Sequence, residues 1–149
     1  MSSTFSPARV AKPRLAASAA ELEGHFAVRR AVFVEQQRLF EDDRDGFDEG
    51  ALHAVAVVDG LVIGAVRLYP LSGSVWKGDR LAVLPGHRAG AELVNFAVRT
   101  AGERGGTRMV AQVQVANVRF FERLGWVRDG ESAVYHGAPH QPMAIPLGR

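Results

Sequence analysis

Residues 79–94 place a strand, a short turn and a helix in an order that suits a phosphate group. The apolar strand Leu81, Ala82 and Val83 ends at Pro85, and Arg88 then precedes the small residues Ala89, Gly90 and Ala91 where a helix begins. Unpaired backbone N–H groups and the positive end of a helix dipole attract anions at such a point, and Arg88 offers a charge-assisted hydrogen bond. The stretch predicts a phosphate-bearing cofactor, although ordinary α/β connections share this order.

Apolar periodicity and turn residues predict the elements that position this turn. Ser18 and Glu21 form a capping box that opens a helix after a first edge strand over 10–15. An acidic loop over 40–50 follows, and Asp59-Gly60 joins strands 53–58 and 61–68 in a hairpin. The remaining elements are strand 75–83, a helix from Arg88 to Arg104, strand 109–115, helix 117–124, and strands 126–134 and 143–147 separated by a turn over 136–142. This order predicts an α+β domain around one sheet.

Composition bounds the class of protein. The 149 residues predict one domain over 9–149 behind a flexible N-terminus over 1–8. Eighteen basic and sixteen acidic side chains give no reason to expect a nucleic-acid partner. Cysteine is absent, which excludes disulfides, cysteine nucleophiles and thiolate metal sites. No apolar run has membrane-spanning length, so a cytoplasmic protein with no membrane partner is expected.

Two segments resemble motifs of the GNAT superfamily of acyl-CoA-dependent N-acetyltransferases. They are LAVLPGHR at 81–88 and NVRFFERLGW at 117–126, the second being similar to the family's Asn followed by Phe-Tyr-x-x-x-Gly-Phe. FVEQQRLFEDDRDGFDE, GAVRLYP, WKGDRLAV and HGAPHQPM are also similar to bacterial nitrogen-starvation-associated N-acetyltransferases, relatives of ElaA-type proteins. The N-terminal half is similar to acyl-homoserine lactone synthases, which share the fold, at Arg30, Phe33, Asp45, Asp48, Gly64 and Arg67.

The resemblance implies a GNAT-like fold, with a mixed, mostly antiparallel sheet flanked by helices. It implies acetyl transfer from acetyl-CoA, as co-substrate, to the amine of a small-molecule acceptor by direct attack in a ternary complex. The strand 81–83 would splay from its neighbour and offer N–H groups to the pantetheine and thioester. Asn117 would contact the CoA arm and Phe121 would flank the thiol, unless Asn117 only caps a helix and Phe121 only fills the core. No metal is implied, and a homodimer is an expected assembly.

Three residues are candidates for the general base that takes a proton from the amine. Asp79 precedes the cofactor strand, Glu35 lies near the end of the first helical region on the acceptor side of such a fold, and His140 belongs to the residue type that titrates near neutral pH. Each also has a purely structural explanation: Asp79 as a solvated strand-end acid, Glu35 as a helix-surface acid and His140 as a turn histidine hydrogen-bonded to backbone. The chain also departs from the family pattern, because the turn after Arg88 is short and Phe121 replaces a frequent general-acid tyrosine.

Arg67 is a lone charge on an apolar strand. It is expected to pair with Asp45 or Asp48 and fix the acidic loop, or to bind an acidic acceptor as a substrate-binding residue. The aspartates of this loop do not have the spacing of an EF-hand calcium site. Three hypotheses follow: an acetyl-CoA-dependent N-acetyltransferase, a non-catalytic GNAT-fold module that binds an acyl-CoA or a protein partner, and an acyl-homoserine lactone synthase-like acyltransferase.

Overall fold

A computed structural model describes residues 12–148 of the chain. Its elements are β1 (Arg14–Leu15), α1 (Ala19–Arg29), a π-helical continuation (Arg30–Gln36), β2 (Leu52–Val58), β3 (Leu61–Ser72), β4 (Val75–Val83), α2 (Gly90–Glu103), β5 (Arg108–Gln114), a 3₁₀ turn (Val115–Asn117), α3 (Val118–Arg123), β6 (Val127–Arg128), β7 (Ala133–Tyr135) and β8 (Ala138–Pro146). The predicted first strand extends into residues 10 and 11, which lie outside the described residues, and β1 is its described part.

The strands of residues 12–148 form one sheet in the order β1-β2-β3-β4-β5-β8-β6, and β7 also pairs with β8. Every pair is antiparallel except β4 and β5, which are parallel and are connected by α2. A helical crossover is the connection that parallel neighbours require. The predicted α+β class, with its mixed and mostly antiparallel sheet, is confirmed.

Local sequence determines the turns that open this sheet. Asp59 and Gly60 have φ of 51° and 81°, the positive values of a two-residue type I′ turn, for which Asp-Gly is a preferred sequence. Ser18 begins α1 as predicted, since its hydroxyl accepts a hydrogen bond from the Glu21 N–H at 3.1 Å. The Glu21 carboxylate accepts from the Ala17 N–H at 2.9 Å instead of from that of Ser18, so only half of the capping box forms.

The turn predicted over 136–142 is wrong beyond its first two residues. His136 and Gly137, with φ of 51° and 77°, reverse the chain, and β8 begins directly afterwards at Ala138. β8 is an interior strand because β5 pairs along one side of it and β6 and β7 pair along the other. These ladders outweigh the prolines that signalled a turn. The predicted strand 126–134 is also divided, into β6 and the start of β7.

Helices cover both faces of the sheet. α2 packs on one face through the predicted apolar stripe, with Leu93, Ala97 and Ala101 buried. α1 and its π-helical continuation cover the other face, and α1 lies so close to β3 that a Cβ at Gly24 would be 2.6 Å from Val62 Cγ2. Both faces of the sheet are therefore shielded by helices. No helix within residues 12–148 is long and apolar enough to cross a membrane.

Candidate active site

The parallel strands β4 and β5 pair only at their N-terminal ends. Val75, Trp76 and Lys77 lie opposite Arg108, Met109 and Val110, and the register goes no further. A cleft of about 890 Å³, including solvent at its mouth, lies between the separated strands and is lined from both faces of the sheet. The splay that the resemblance implied for residues 81–83 is thus present. Separated strand edges present main-chain N–H and C=O groups, so the cleft is walled by backbone donors and acceptors.

A β-bulge interrupts β4 at the cleft. Ala65 of β3 lies opposite Ala82, whereas Arg67 lies opposite Asp79, so β4 has one extra residue in this interval. Arg80 has φ of 55°, a left-handed value that costs a non-glycine residue on the order of 1–3 kcal/mol. A bulge leaves a residue out of the ladder and re-aims its neighbours. Here it lies at the wall of the cleft, which Arg80 itself lines.

The N-terminus of α2 lies one turn before Val94, the first residue of this helix that lines the cleft. Ala89 is its N-cap without a side-chain hydrogen bond and is buried, so it offers only its main chain. Arg88 is exposed directly before it. Gly90 allows close packing on α3, since a Cβ there would lie 3.3 Å from Phe120 Cζ. The N–H groups of this first turn have no partners within the helix, and with Arg88 they fit an anionic group such as the phosphates of CoA.

The α3 side of the cleft is formed by Asn117, Phe121 and Trp126. Asn117 precedes α3 without donating or accepting a side-chain capping hydrogen bond, so capping does not explain its amide. The buried Phe121 ring lies 5.3 Å from that of Trp126 in an edge-to-face arrangement. Trp126 Nε1 is buried and has no hydrogen-bond partner within residues 12–148. This wall is apolar except for the Asn117 amide and one unused indole N–H.

His140 lies on the opposite face of the sheet, near the open end of the cleft. It is 6 % exposed, and its Nδ1 lies 2.9 Å from the Ala138 carbonyl oxygen. Because a carbonyl only accepts, Nδ1 carries the proton and Nε2 of the neutral ring is left as an acceptor. The Tyr135 ring contacts it edge-on at 5.1 Å. His140 is therefore a strand residue held in one tautomer. The prediction that it is a turn histidine hydrogen-bonded to the backbone is wrong about the turn and correct about the hydrogen bond.

The acidic loop (residues 40–50), together with the preceding residues 37–39, covers this face of the cleft. The Phe40 ring lies between the Arg80 guanidinium, 4.3 Å from its centroid, and the His136 ring at 4.2 Å. Gln114 Nε2 of β5 donates to Gln37 Oε1 at 3.0 Å. These contacts join the loop to β4, to β5 and to the turn before β8, so three segments distant in sequence form the wall.

Arg67 connects the same loop to β4. It is 1 % exposed, donates from Nε and Nη2 to the two carboxylate oxygens of Asp79 at 2.7 Å each, and donates from Nη1 to Asp45 at 2.6 Å. Arg80 donates to the Asp43 carbonyl at 3.0 Å and to Asp45 at 3.2 Å. The predicted pairing of Arg67 with Asp45 is confirmed. Its Nη1 also lies 3.2 Å from Asp48 Oδ1, so the guanidinium already engages three carboxylates, and binding of an acidic acceptor by Arg67 stays a prediction.

Arg29 fixes the loop to α1. Its buried guanidinium donates to Asp43 at 2.6 Å and to Asp48 at 2.7 Å. His25 Nδ1 donates to the Ala54 carbonyl at 2.9 Å, and its Nε2 lies 3.2 Å from Arg29 Nη1. Burial lowers the pKa of His25 to about 3, so the ring is neutral and accepts from Arg29. Burial opposes ionisation of Asp48, but the hydrogen bonds from Arg29 hold its pKa well below the ordinary value.

The structure brings Asp79 and His140 to the cleft but not Glu35. The Glu35 side chain is 64 % exposed and lies 3.5 Å from Arg30, away from the lining residues. Arg30 is exposed as well, and its neighbour Arg29 is the buried arginine, which the sequence reasoning missed. The spacing of four between His25 and Arg29 placed both on one helix face and was the available signal. No group of three or more His, Asp or Glu within residues 12–148 is arranged to hold a metal ion.

Comparison with known proteins identifies relatives of this chain. The model of the Acetyltransferase (GNAT) family matches residues 19–126. A Bacillus subtilis protein described provisionally as an acetyltransferase is 28 % identical over 130 residues, which cover 83 % of this chain and 88 % of that protein. A crystal structure from Lactobacillus plantarum, described provisionally as an N-acetyltransferase, superposes with a TM-score of 0.83 at 28 % identity, covering 93 % of this chain and 99 % of the other. Escherichia coli ElaA superposes with a TM-score of 0.79 at 20 % identity, covering 91 % and 99 %.

Proposed function

The chain belongs to the GNAT acetyltransferase family, and we propose that it transfers the acetyl group of acetyl-CoA to the amine of a small-molecule acceptor. The fold supports acyl transfer from an acyl-CoA. The observation that carries the proposal is the cleft between β4 and β5, because it is lined from both faces of the sheet. A donor on the α2 face and an acceptor on the α1 face meet there directly, and no cysteine is present to carry a covalent acyl group.

The donor half of the cleft fits CoA. Arg88 and the N–H groups of residues 89–91 would hold the phosphates. The backbone of residues 81–83 would accompany the pantetheine, beside Asn117 and Phe121. Acetyl-CoA supplies an activated thioester there, and an N–H of β4 near the bulge would polarise its carbonyl. The short turn before α2 limits the number of phosphate contacts, so Arg88 carries a larger share of this binding.

His140 is the general base that the geometry favours. With Nδ1–H donated to Ala138, Nε2 has a lone pair within a buried wall of the cleft. In the proposed step the amine nitrogen forms a bond to the thioester carbon, the carbon–sulfur bond breaks with its electron pair on sulfur, and the amine proton goes to His140 Nε2. Asp79 is a weaker candidate because both of its oxygens accept hydrogen bonds from Arg67, and Glu35 lies outside the cleft.

Phe121 leaves a second candidate function open. A phenyl ring donates no proton, so the thiolate would leave without a general acid at this position. A non-catalytic module that binds an acyl-CoA would need no such group, and it would retain the donor half of the cleft. Under either function the protein is expected to act in the cytoplasm.

Two measurements separate these functions. Titration calorimetry with acetyl-CoA tests binding, and release of the CoA thiol over a panel of primary amines tests turnover. Binding together with amine-dependent thiol release supports the enzyme. Binding without thiol release supports the module, and no binding at millimolar acetyl-CoA contradicts both.

The role of His140 has its own test. His140→Gln should lower kcat by about 10²- to 10⁴-fold, the range for loss of a general base, and should leave the Kd of acetyl-CoA little changed. The pH dependence of kcat should lose its acidic limb in the variant. A variant with the kcat and pH profile of the wild type would remove His140 from the mechanism.

A further inference from the structure

Trp126 has a hydrogen-bond donor that the folded chain does not use. The side chain is 3 % exposed, lines the cleft, and its Nε1 has no partner within residues 12–148. A buried donor without an acceptor is a cost to the stability of the folded chain. The closing motif that this segment resembles has phenylalanine at this position, which would fill the space without that cost. The indole N–H therefore points to a ligand that supplies an acceptor.

Strand register places Trp126 at the closed end of the cleft. It directly precedes β6, whose Val127 lies opposite Ala144 of β8. Ala144 in turn lies opposite Val110 of β5, and Val110 lies opposite Lys77 in the last pair that β4 and β5 make. Trp126 is thus level with the point where the two strands begin to part. The N-terminus of α2, where we propose that the phosphates bind, follows the C-terminal end of β4 and so lies toward the opposite end of the cleft.

An acyl donor bound as proposed would direct its acyl group toward this closed end. Its phosphates would lie by α2, and its thioester near the bulge at Arg80. Lys77 is three residues before Arg80, a rise of about 10 Å along a strand. An acetyl group is much shorter than this. Because the lining of the cleft continues from Arg80 to Lys77 and Trp126, a longer acyl chain would extend in this direction.

The wall of the closed end determines the chemistry of that chain. Val94, Ala97, Met109 and Phe121 line it together with Trp126. Gly78 also belongs to it, since a Cβ at Gly78 would lie 3.4 Å from Met109 Sδ. Lys77 and Asp79 flank Gly78 in the strand, and their side chains point to the other face of the sheet. Among the described residues, the closed end thus has apolar side chains and the N–H donor of Trp126, and no charged side chain on this face of the sheet to pair with a carboxylate.

We propose that the closed end is an acyl-binding chamber, in which Trp126 Nε1–H donates a hydrogen bond to an uncharged oxygen on a short acyl chain. The substrate class is an acyl-CoA longer than acetyl-CoA with a hydroxyl or keto oxygen beyond the thioester. The inference rests on the proposed function, because it requires CoA in the donor half of the cleft. It extends that function from acetyl-CoA to oxygenated short-chain donors.

The test compares the Kd of three donors by titration calorimetry: acetyl-CoA, butyryl-CoA and 3-hydroxybutyryl-CoA. The wild type should bind 3-hydroxybutyryl-CoA about 3- to 10-fold more tightly than butyryl-CoA, the effect of one net hydrogen bond. Trp126→Phe keeps an aromatic ring and removes only the donor, so this ratio should fall to about one. Trp76→Phe is the matched control, since Trp76 is equally buried in the core but does not line the cleft, and it should keep the wild-type ratio.

A second variant tests the chamber without changing Trp126. Gly78→Ala adds a methyl group at ordinary contact distance from Met109, and it should weaken binding of butyryl-CoA more than binding of acetyl-CoA. A wild-type ratio of one overturns the inference, as does a ratio that persists in Trp126→Phe. Equal weakening of all three donors by Trp126→Phe also overturns it, because the N–H would then bind the CoA arm. In each of these cases acetyl-CoA still binds, and only absence of acetyl-CoA binding refutes the proposed function as well.

Discussion

The buried His25 should give this fold a stability that mild acid removes. Only the neutral ring donates from Nδ1 to Ala54 and accepts at Nε2 from Arg29, because a protonated ring has no acceptor. Burial lowers the pKa of His25 in the folded chain to about 3, whereas an unfolded histidine has a pKa of about 6.5. As pH falls the unfolded chain takes up this proton first. The contribution is therefore complete above pH 6.5 and is lost progressively toward pH 3.

The size of the loss follows from these two values. With an unfolded pKa of about 6.5 and a folded pKa of about 3, the free energy of unfolding falls by about 2 kcal/mol between pH 7 and pH 5. The steepest slope is about 1.4 kcal/mol per pH unit. Asp48 also has a depressed pKa, but its contribution is lost only below pH of about 5, where the unfolded carboxylate begins to protonate. Measurements between pH 7 and pH 5 thus observe histidine and not aspartate.

Urea unfolding at several pH values, for the wild type and His25→Gln, isolates this residue. Glutamine has a donor and an acceptor but does not titrate, and the other ionisable groups are common to both proteins. The difference in free energy of unfolding between the wild type and the variant should fall by about 2 kcal/mol from pH 7 to pH 5. Parallel pH profiles for the two proteins would refute the reasoning, since they would mean that His25 binds protons equally when folded and unfolded.

Three further substitutions test the site. Arg67→Met should lower the free energy of unfolding in urea by about 3–5 kcal/mol, because it removes both hydrogen bonds to the largely buried Asp79 carboxylate and leaves it only the more distant Arg80, at 3.9 Å; the exposed Arg14→Met should change it little, and equal effects would contradict a structural Arg67. Arg88→Ala should weaken acetyl-CoA binding by about 1–3 kcal/mol in calorimetry, whereas Arg99→Ala on the exposed side of α2 should leave it unaltered; equal Kd values would make Arg88 a surface residue only. Phe121→Tyr should raise kcat by less than about 10²-fold, the lower limit for an engaged general acid, without lowering Tm; a lower Tm with unchanged kcat would place the ring in the core.

The sequence predicts well the elements whose signals are local. Asp59-Gly60 requires only its own two positive φ values, and strand 75–83 has the predicted bounds. The last strand has no such local signal, because its prolines indicate a turn and its pairing with β5 joins residues far apart in the chain. Burial between three other strands then determines β8 against its composition. His140 was accordingly expected in a turn and lies in a buried strand.

The candidate site likewise has one part with a local sequence signal and another part without one. The proposed donor half comes largely from a motif contiguous in sequence, from β4 through the start of α2, so its residues could be proposed without a structure. The difference between Arg29 and Arg30 depends on helix phase at the junction where α1 becomes π-helical, and periodicity alone does not fix that phase. The unused Nε1 of Trp126 is a property of its surroundings, which no pattern of residue types contains.

The wall of the cleft around His140 lies beyond the part of the chain that the family model matches. The family model ends at residue 126, whereas β7 and β8 supply Tyr135 and His140 beyond it. The acidic loop covers the same wall and is held by Arg29 of α1, Arg67 of β3 and Arg80 of β4. Because these ion pairs hold the loop, we expect a change in the loop to alter the proposed acceptor side of the cleft more than the proposed CoA side. Acceptor specificity must therefore be measured on this chain, whereas acetyl-CoA is proposed as donor from its motif and the longer donors from Trp126.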